Sequence, residues 1–234
     1  MMLPTHALAG MLLALPVAAV APEYAPAALA AGFVGGVLPD LDLYAGHRKT
    51  LHFPTYYAVL GAGGLVAAAL SPSTTSVAAA VLLLAAALHS VSDVFGGGLE
   101  LRPWEATSER AVYDHVRGRW LAPKRWIRYD GAPEDLALSV GLAAALWTSV
   151  DGTLRLAVGG ALAVAVVYAA TRRVLPRLAE LLVGRVLAVY APASLVAAIP
   201  ERYLGEGSPV TTAARTGVAG TRGGSTGGST DESV

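Results

Sequence analysis

Along this chain the apolar positions gather in long stretches, at roughly 7–21, 26–38, 55–70, 76–92, 136–150 and 154–170, with a less uniform seventh at 178–199. Stretches that are apolar on every side predict helices with no water-facing stripe. Most run about 13 to 18 residues, short of the ~20 that a perpendicular crossing of a ~30 Å hydrocarbon layer requires. The first two are the most interrupted, by Pro16 and by Gly32, Gly35 and Gly36, whereas 76–92 and 154–170 are the most uniform. The pattern therefore predicts an all-α, polytopic membrane helical bundle of about six spans or half-spans.

Composition sharpens this expectation. Of 234 residues 54% are apolar and 15% charged, against about a quarter charged in ordinary globular chains. A soluble bundle would lack polar residues for its surface, and so apolar a body does not stay disordered. The 17 basic and 17 acidic side chains cancel, so no global field draws the chain to nucleic acid. The absence of cysteine excludes a disulfide scaffold, a thiolate zinc site, an iron–sulfur cluster and a cysteine nucleophile. Any metal must be held by His and carboxylates. Ala19-Val20-Ala21 imitates a signal-peptide cleavage site, but residues 1–5 carry no positive charge to lead such a signal.

If the stretches alternate across a bilayer, segments 1–6, 39–54, 93–135 and 171 onward share one face. That face takes every Lys and Arg except Arg155, which makes it cytoplasmic by the positive-inside rule. The expected location is the plasma or inner membrane, with the bilayer itself as partner. The sizeable polar insertion at 93–135 mixes Trp104, Trp120 and Trp126 with seven basic residues, suiting a headgroup-level segment or an ordinary positive-inside loop. Within it Val112, Tyr113, Val116, Trp126, Ile127 and Tyr129 predict a short hairpin ahead of a turn at Asp130-Gly131. Residues 1–204 are expected to form the membrane-embedded domain, and the Gly/Ser/Thr-rich stretch 205–234 a disordered cytoplasmic tail.

Candidate chemistry lies on the same face. His6, His47, His52 and His89, with Asp40, Asp42 and Asp93, all fall at cytoplasmic ends of apolar stretches, although that topology rests on apolar runs and Lys/Arg alone. Ionisable groups at membrane depth cost about 2.5–3.5 kcal/mol each on insertion scales, which makes such a gathering a functional signal. His89 and Asp93, four apart on a helix, share one face as a ligand pair or as a hydrogen-bonded cap. Pro39 ends the helix before Asp40 and Asp42, which offer two oxygens to a cation or serve as caps. His47 and His52 converge only from a bent segment. Together the seven form a ligand set for a divalent cation, zinc or manganese.

Thr5-His6, Gly36-Val37-Leu38-Pro39-Asp40-Leu41-Asp42, His47-Arg48 with His52 downstream, and His89-x-x-x-Asp93 resemble, in this order and spacing, the YdjM-like membrane-bound metal-dependent hydrolases. The resemblance covers roughly residues 3–105. That family is distantly similar to zinc-dependent phospholipase C and related single-strand nucleases. The resemblance implies His6, Asp40, His52, His89 and Asp93 as metal ligands, with Asp42 and His47 as ligands or as groups that orient them. Where the family reads Thr-His-Ser this chain has Leu51-His52-Phe53.

The expected activity is hydrolysis of a phosphoester in a lipid or lipid-linked substrate at the cytoplasmic interface. The cation would acidify water and polarise the phosphoryl oxygen. Asp42 or Asp93 would serve as base, and Arg48, with Arg102, as a fork for phosphate oxygens. The competing class is a transporter or a metal- or proton-binding membrane protein using the same cluster.

Overall fold

A computed structural model describes residues 1–182, and within them Met1–Val174 forms one unit. Its helices are α1 (Leu3–Val20), α2 (Ala25–Val37), α3 (Pro54–Leu70), α4 (Thr74–Ser92), α5 (Pro133–Trp147) and α6 (Gly152–Thr171). The described part of the second unit is α7 (Leu175–Leu181). Most of the seventh apolar stretch and all of 205–234 lie outside the described residues, as do Arg185, Arg202, Arg215 and Arg222.

Proline and serine set the helix boundaries. Pro4, Pro54 and Pro133 stand in the first turns of α1, α3 and α5, where a missing N–H costs nothing. Ser73 opens α4 with a reciprocal cap, its Oγ accepting from the Ser76 N–H while its own N–H donates to Ser76 Oγ. Pro39 converts the end of α2 into a 3₁₀ turn, Leu38–Asp42, and this turn swings two carboxylates out of the helical register.

Among the described residues, four segments are long and apolar enough to cross a membrane: Leu3–Val20, Pro22–Asp42, Thr74–Phe95 and Gly152–Thr171. The two most interrupted stretches reach this length because α1 continues through Pro16 and the 3₁₀ turns lengthen α2 at both ends. The short elements are α3, at 17 residues, and α5, at 15.

Close approach of backbones holds the first helices together. A Cβ on Gly10 would overlap the Gly32 carbonyl, and one on Gly32 the Gly10 carbonyl. Small residues at a helix crossing are how apolar helices gain packing where lipid is as apolar as they are. The core beneath is Leu8, Met11, Ala14, Leu29, Val81, Leu146 and Val158, drawn from α1, α2, α4, α5 and α6.

Among the described residues the insertion adds one small two-stranded sheet to the helices. Strands β1 (Val112–Asp114) and β2 (Arg119–Leu121) pair antiparallel with Tyr113 opposite Trp120. The expected second strand at 126–129 instead lies along 94–96, through Lys124 N–H to the Val94 carbonyl (2.8 Å), Arg125 N–H to Gly96 (3.1 Å) and Ile127 N–H to Phe95 (3.1 Å).

Candidate metal centre

The start of α1, the 3₁₀ turn after α2 and the end of α4 meet at one end of the bundle. Asp40, His52, His89 and Asp93 each present one ligand atom there, all within 4.8 Å of one another. Oδ1 of Asp40 lies 3.4 Å from His89 Nε2 and 3.8 Å from His52 Nε2. Oδ2 of Asp93 lies 3.4 Å from His52 Nε2 and 3.6 Å from His89 Nε2. These separations are long for hydrogen bonds. They match the edges of a tetrahedron of about 3.4 Å that metal bonds of 2.0–2.2 Å require.

The far side of each imidazole decides which nitrogen faces this point. His89 Nδ1 stands 2.6 Å from the Gly36 carbonyl, an acceptor only, so Nδ1 carries a proton and, in the neutral ring, Nε2 presents the lone pair. His52 Nδ1 donates to Asp42 Oδ2 at 3.0 Å, with the same result. Both Nε2 atoms are buried without a hydrogen-bond partner. Two imidazole lone pairs and two carboxylates converging in a buried place fit a divalent cation.

The other expected residues are also brought here, in supporting positions. His6 Nε2 donates to Asp93 Oδ1 at 3.0 Å, and its ring stacks on His89 with centroids 3.7 Å apart, so it lies outside the four-atom set. His47 Nδ1 donates to Asp42 Oδ1 at 3.0 Å and stands 4.0 Å from Asp40. Asp42 accepts from four donors, His47, Arg48 N–H (3.3 Å), Leu51 N–H (3.0 Å) and His52. That occupancy turns the expected base into the group that orients both histidines, and it supplies the support that Leu51 and Phe53 cannot give His52.

Arg48, at φ 59°, turns inward. Its NH1 donates to the Gly97 carbonyl at 2.7 Å, and its Nε stands 3.3 Å from Asp93 Oδ2. Burial, the largest single influence, opposes the guanidinium charge, but Asp93 together with Asp130, Asp40 and Glu100 more than offsets it, so its pKa is raised. Burial pushes the His47 imidazole below its ordinary value, against the bond from Asp42. Arg102 remains at the surface, 3.8 Å from Glu105, and His115 donates through Nε2 to the Lys49 carbonyl at 2.7 Å.

No family model, curated protein or solved structure matches this chain. The residues themselves therefore carry the functional argument.

Asp135 was not singled out by sequence. Fully buried, it accepts from Met2 N–H (2.8 Å), Thr5 Oγ1 (2.7 Å) and Gly131 N–H (3.1 Å), while Ser139 and Thr5 hydroxyls meet at 2.7 Å. This network fixes the first turn of α1 beside His6. Its only sequence signal is an acid in the first turn of a helix, which usually serves the helix dipole.

Proposed function

We propose that this protein is an integral membrane metal-dependent hydrolase that cleaves a phosphoester of a lipid or lipid-linked substrate at the cytoplasmic interface. The observation that carries the reading is the pair of buried, unpartnered Nε2 atoms of His52 and His89 facing Asp40 and Asp93. The order and spacing of the site motifs, which resemble the YdjM-like hydrolases, agree with it.

A bound zinc or manganese ion would supply a Lewis acid and bring the pKa of water toward about 7. Asp40, His52, His89 and Asp93 would hold it. His47 stands at the rim with 16% of its side chain exposed, beside Asp40 at 15%, which places the open side of the centre between them. Asp42 holds His47 through Nδ1, leaving Nε2 to accept a proton from the attacking water and return it to the leaving oxygen. Arg48 balances the carboxylates from below, with Asp93 in direct reach.

Polar distribution favours an enzyme over a transporter. Among the described residues, the buried charged side chains (His6, Asp42, Arg48, His52, His89, Asp93, Asp114, Asp135 and Arg172) belong to one end of the bundle and its insertion. A transport path needs polar groups toward the opposite end as well.

The first test is metal content by inductively coupled plasma mass spectrometry on detergent-purified protein, beside His89→Ala and Asp93→Ala. Wild type is expected to hold stoichiometric metal that both substitutions remove, and to release alcohol from phosphoesters only when loaded. Wild type holding no more metal than the variants, after divalent cations are added, overturns the reading.

A further inference from the structure

Residues 41–46 join Asp40, at the metal centre, to His47, at its rim, and they divide sharply by what faces outward. Asp40 and Asp42 are turned in, the first toward the centre and the second toward the two histidines it holds. Leu41 (68% exposed), Leu43 and Tyr44 (78%) stand exposed, and Ala45 and Gly46 complete an outer surface that carries no charge. The insertion, by contrast, exposes two large hydrophobic side chains, Val116 and Trp126, across the whole of 93–135. Three such side chains within residues 41–44 form an apolar patch, which marks a contact with something other than water.

The course of the chain decides what that contact is. The apolar segment Pro22–Asp42, long enough to cross a membrane, ends inside this loop, so in a membrane the patch lies where that segment leaves the bilayer. Non-helical backbone at that depth has to satisfy its own polar groups, and here short turns do so. Leu43 N–H donates to the Asp40 carbonyl (3.2 Å) and Ala45 N–H to that of Asp42 (2.8 Å). The Gly46 carbonyl accepts from the N–H groups of Lys49 and Thr50 (3.0 Å each), and the Thr50 hydroxyl donates to the Ala45 carbonyl. Lys49 then marks the headgroup level, its ammonium 4.5 Å from the Tyr113 ring centre and, among the described residues, paired with no carboxylate. A cation beside an apolar patch suits a segment held at the headgroup–acyl boundary, with its side chains about 5–10 Å into the lipid.

The place of the patch bears on how the centre is reached. Asp40 and His47, the two residues that flank the loop, stand 4.0 Å apart and keep 15% and 16% of their side chains exposed, so the loop borders the open side. An approach along it runs over Leu41 and Tyr44, which an acyl or prenyl chain can contact and a wholly soluble phosphate ester cannot use. We propose that residues 41–46 are seated in the bilayer surface and that the metal centre is entered from the lipid phase. Its substrate is then a membrane-resident amphiphile, whose phosphate reaches the space between Asp40 and His47 while its hydrocarbon chain stays beside Leu41 and Tyr44.

The substrate half of this proposal rests on the phosphoester reading, and the test separates the two. The full chain, free of native cysteine, is placed in nanodiscs of phosphatidylcholine and phosphatidylglycerol. Tyr44→Cys, with Ala45→Cys as a second position should the first fail to fold, carries a nitrobenzoxadiazole fluorophore. Val164→Cys, exposed in α6, and Glu109→Cys, exposed in the insertion, serve as lipid and water references. The loop label is expected to be quenched by lipids with a nitroxide near the headgroup end of the acyl chain, and to be protected from iodide about fivefold relative to the label at Glu109. With cobalt(II) added, dioleoylphosphatidic acid in the nanodisc is expected to shift the visible absorption of the metal, and glycerol 3-phosphate in solution to leave it unchanged. Leu41→Ser should weaken the response to the lipid about tenfold without altering the spectrum before lipid is added. A loop label quenched by iodide as fully as that at Glu109, or equal responses to the lipid and the soluble phosphate, overturns entry from the bilayer alone. A chain that binds no cobalt, or a spectrum that neither phosphate moves, overturns the phosphoester reading and the substrate half with it.

Discussion

Asp42 shows how much of a metal centre resides in residues that do not ligate. With four donors on its two oxygens it fixes the His52 ring and holds His47 at the rim. Asp42→Asn replaces one acceptor with an NH₂ group facing donors, so metal affinity is expected to fall about 10- to 100-fold, measured by competition with a chromogenic chelator. Gly36 is a second such position, since its carbonyl fixes the His89 tautomer and its missing side chain admits the His6 backbone. Gly36→Ala should cost about 1–3 kcal/mol through overpacking, seen as a lower thermal midpoint with a reduced metal load. The sequence could nominate these histidines and aspartates because ionisable groups stand out in so apolar a chain. Their roles stayed hidden, because a role depends on which imidazole nitrogen finds which oxygen.

Helices were legible from unbroken apolar runs, and their ends from Pro39, Pro54, Ser73 and Pro133. The insertion was harder to read. Strands of three residues leave too little alternation to locate, and the aromatic pattern at 126–129 reflects its pairing with 94–96 and the tilted contact of Trp126 with Phe95, ring centroids 4.6 Å apart. At the entry to α5, Arg128 donates to Glu134 through Nε (2.8 Å) and NH2 (3.0 Å). That bond pushes the Glu134 carboxyl down to about 2. A depressed carboxyl contributes stability above its unfolded value of about 4.3 and loses it as pH falls toward the folded value. Wild type should therefore be more stable than Glu134→Gln at pH 7 in denaturant titrations, with the gap closing between pH 4 and 2.

Across the whole molecule, alternation of the helices puts the site and the insertion at one end and the α3–α4 and α5–α6 turns at the other. The native chain has no cysteine, so single cysteines report position without a background. Val116→Cys at the hairpin tip and Thr75→Cys in the first turn of α4 should react with membrane-impermeant maleimide from opposite sides, Val116→Cys from the cytoplasm. Labelling of both from one side would refute the orientation. Charge asymmetry is the sequence's argument for this orientation, because Lys and Arg sort by side whatever the packing. How α1, α2 and α4 bring three ligand segments to a point was not readable, since it depends on glycine contacts such as Gly10 with Gly32 that carry no charge or periodicity.

The four ligand atoms all come from residues 40–93, whereas the backbone that braces their loops, Tyr113 N–H on the Arg48 carbonyl and Lys124 N–H on the Val94 carbonyl, comes later in the chain. During synthesis the ligand set is thus complete as soon as α4 has emerged, before its cover exists. On the proposed reading, a nascent chain can take up its ion before the insertion braces the loops that carry the ligands.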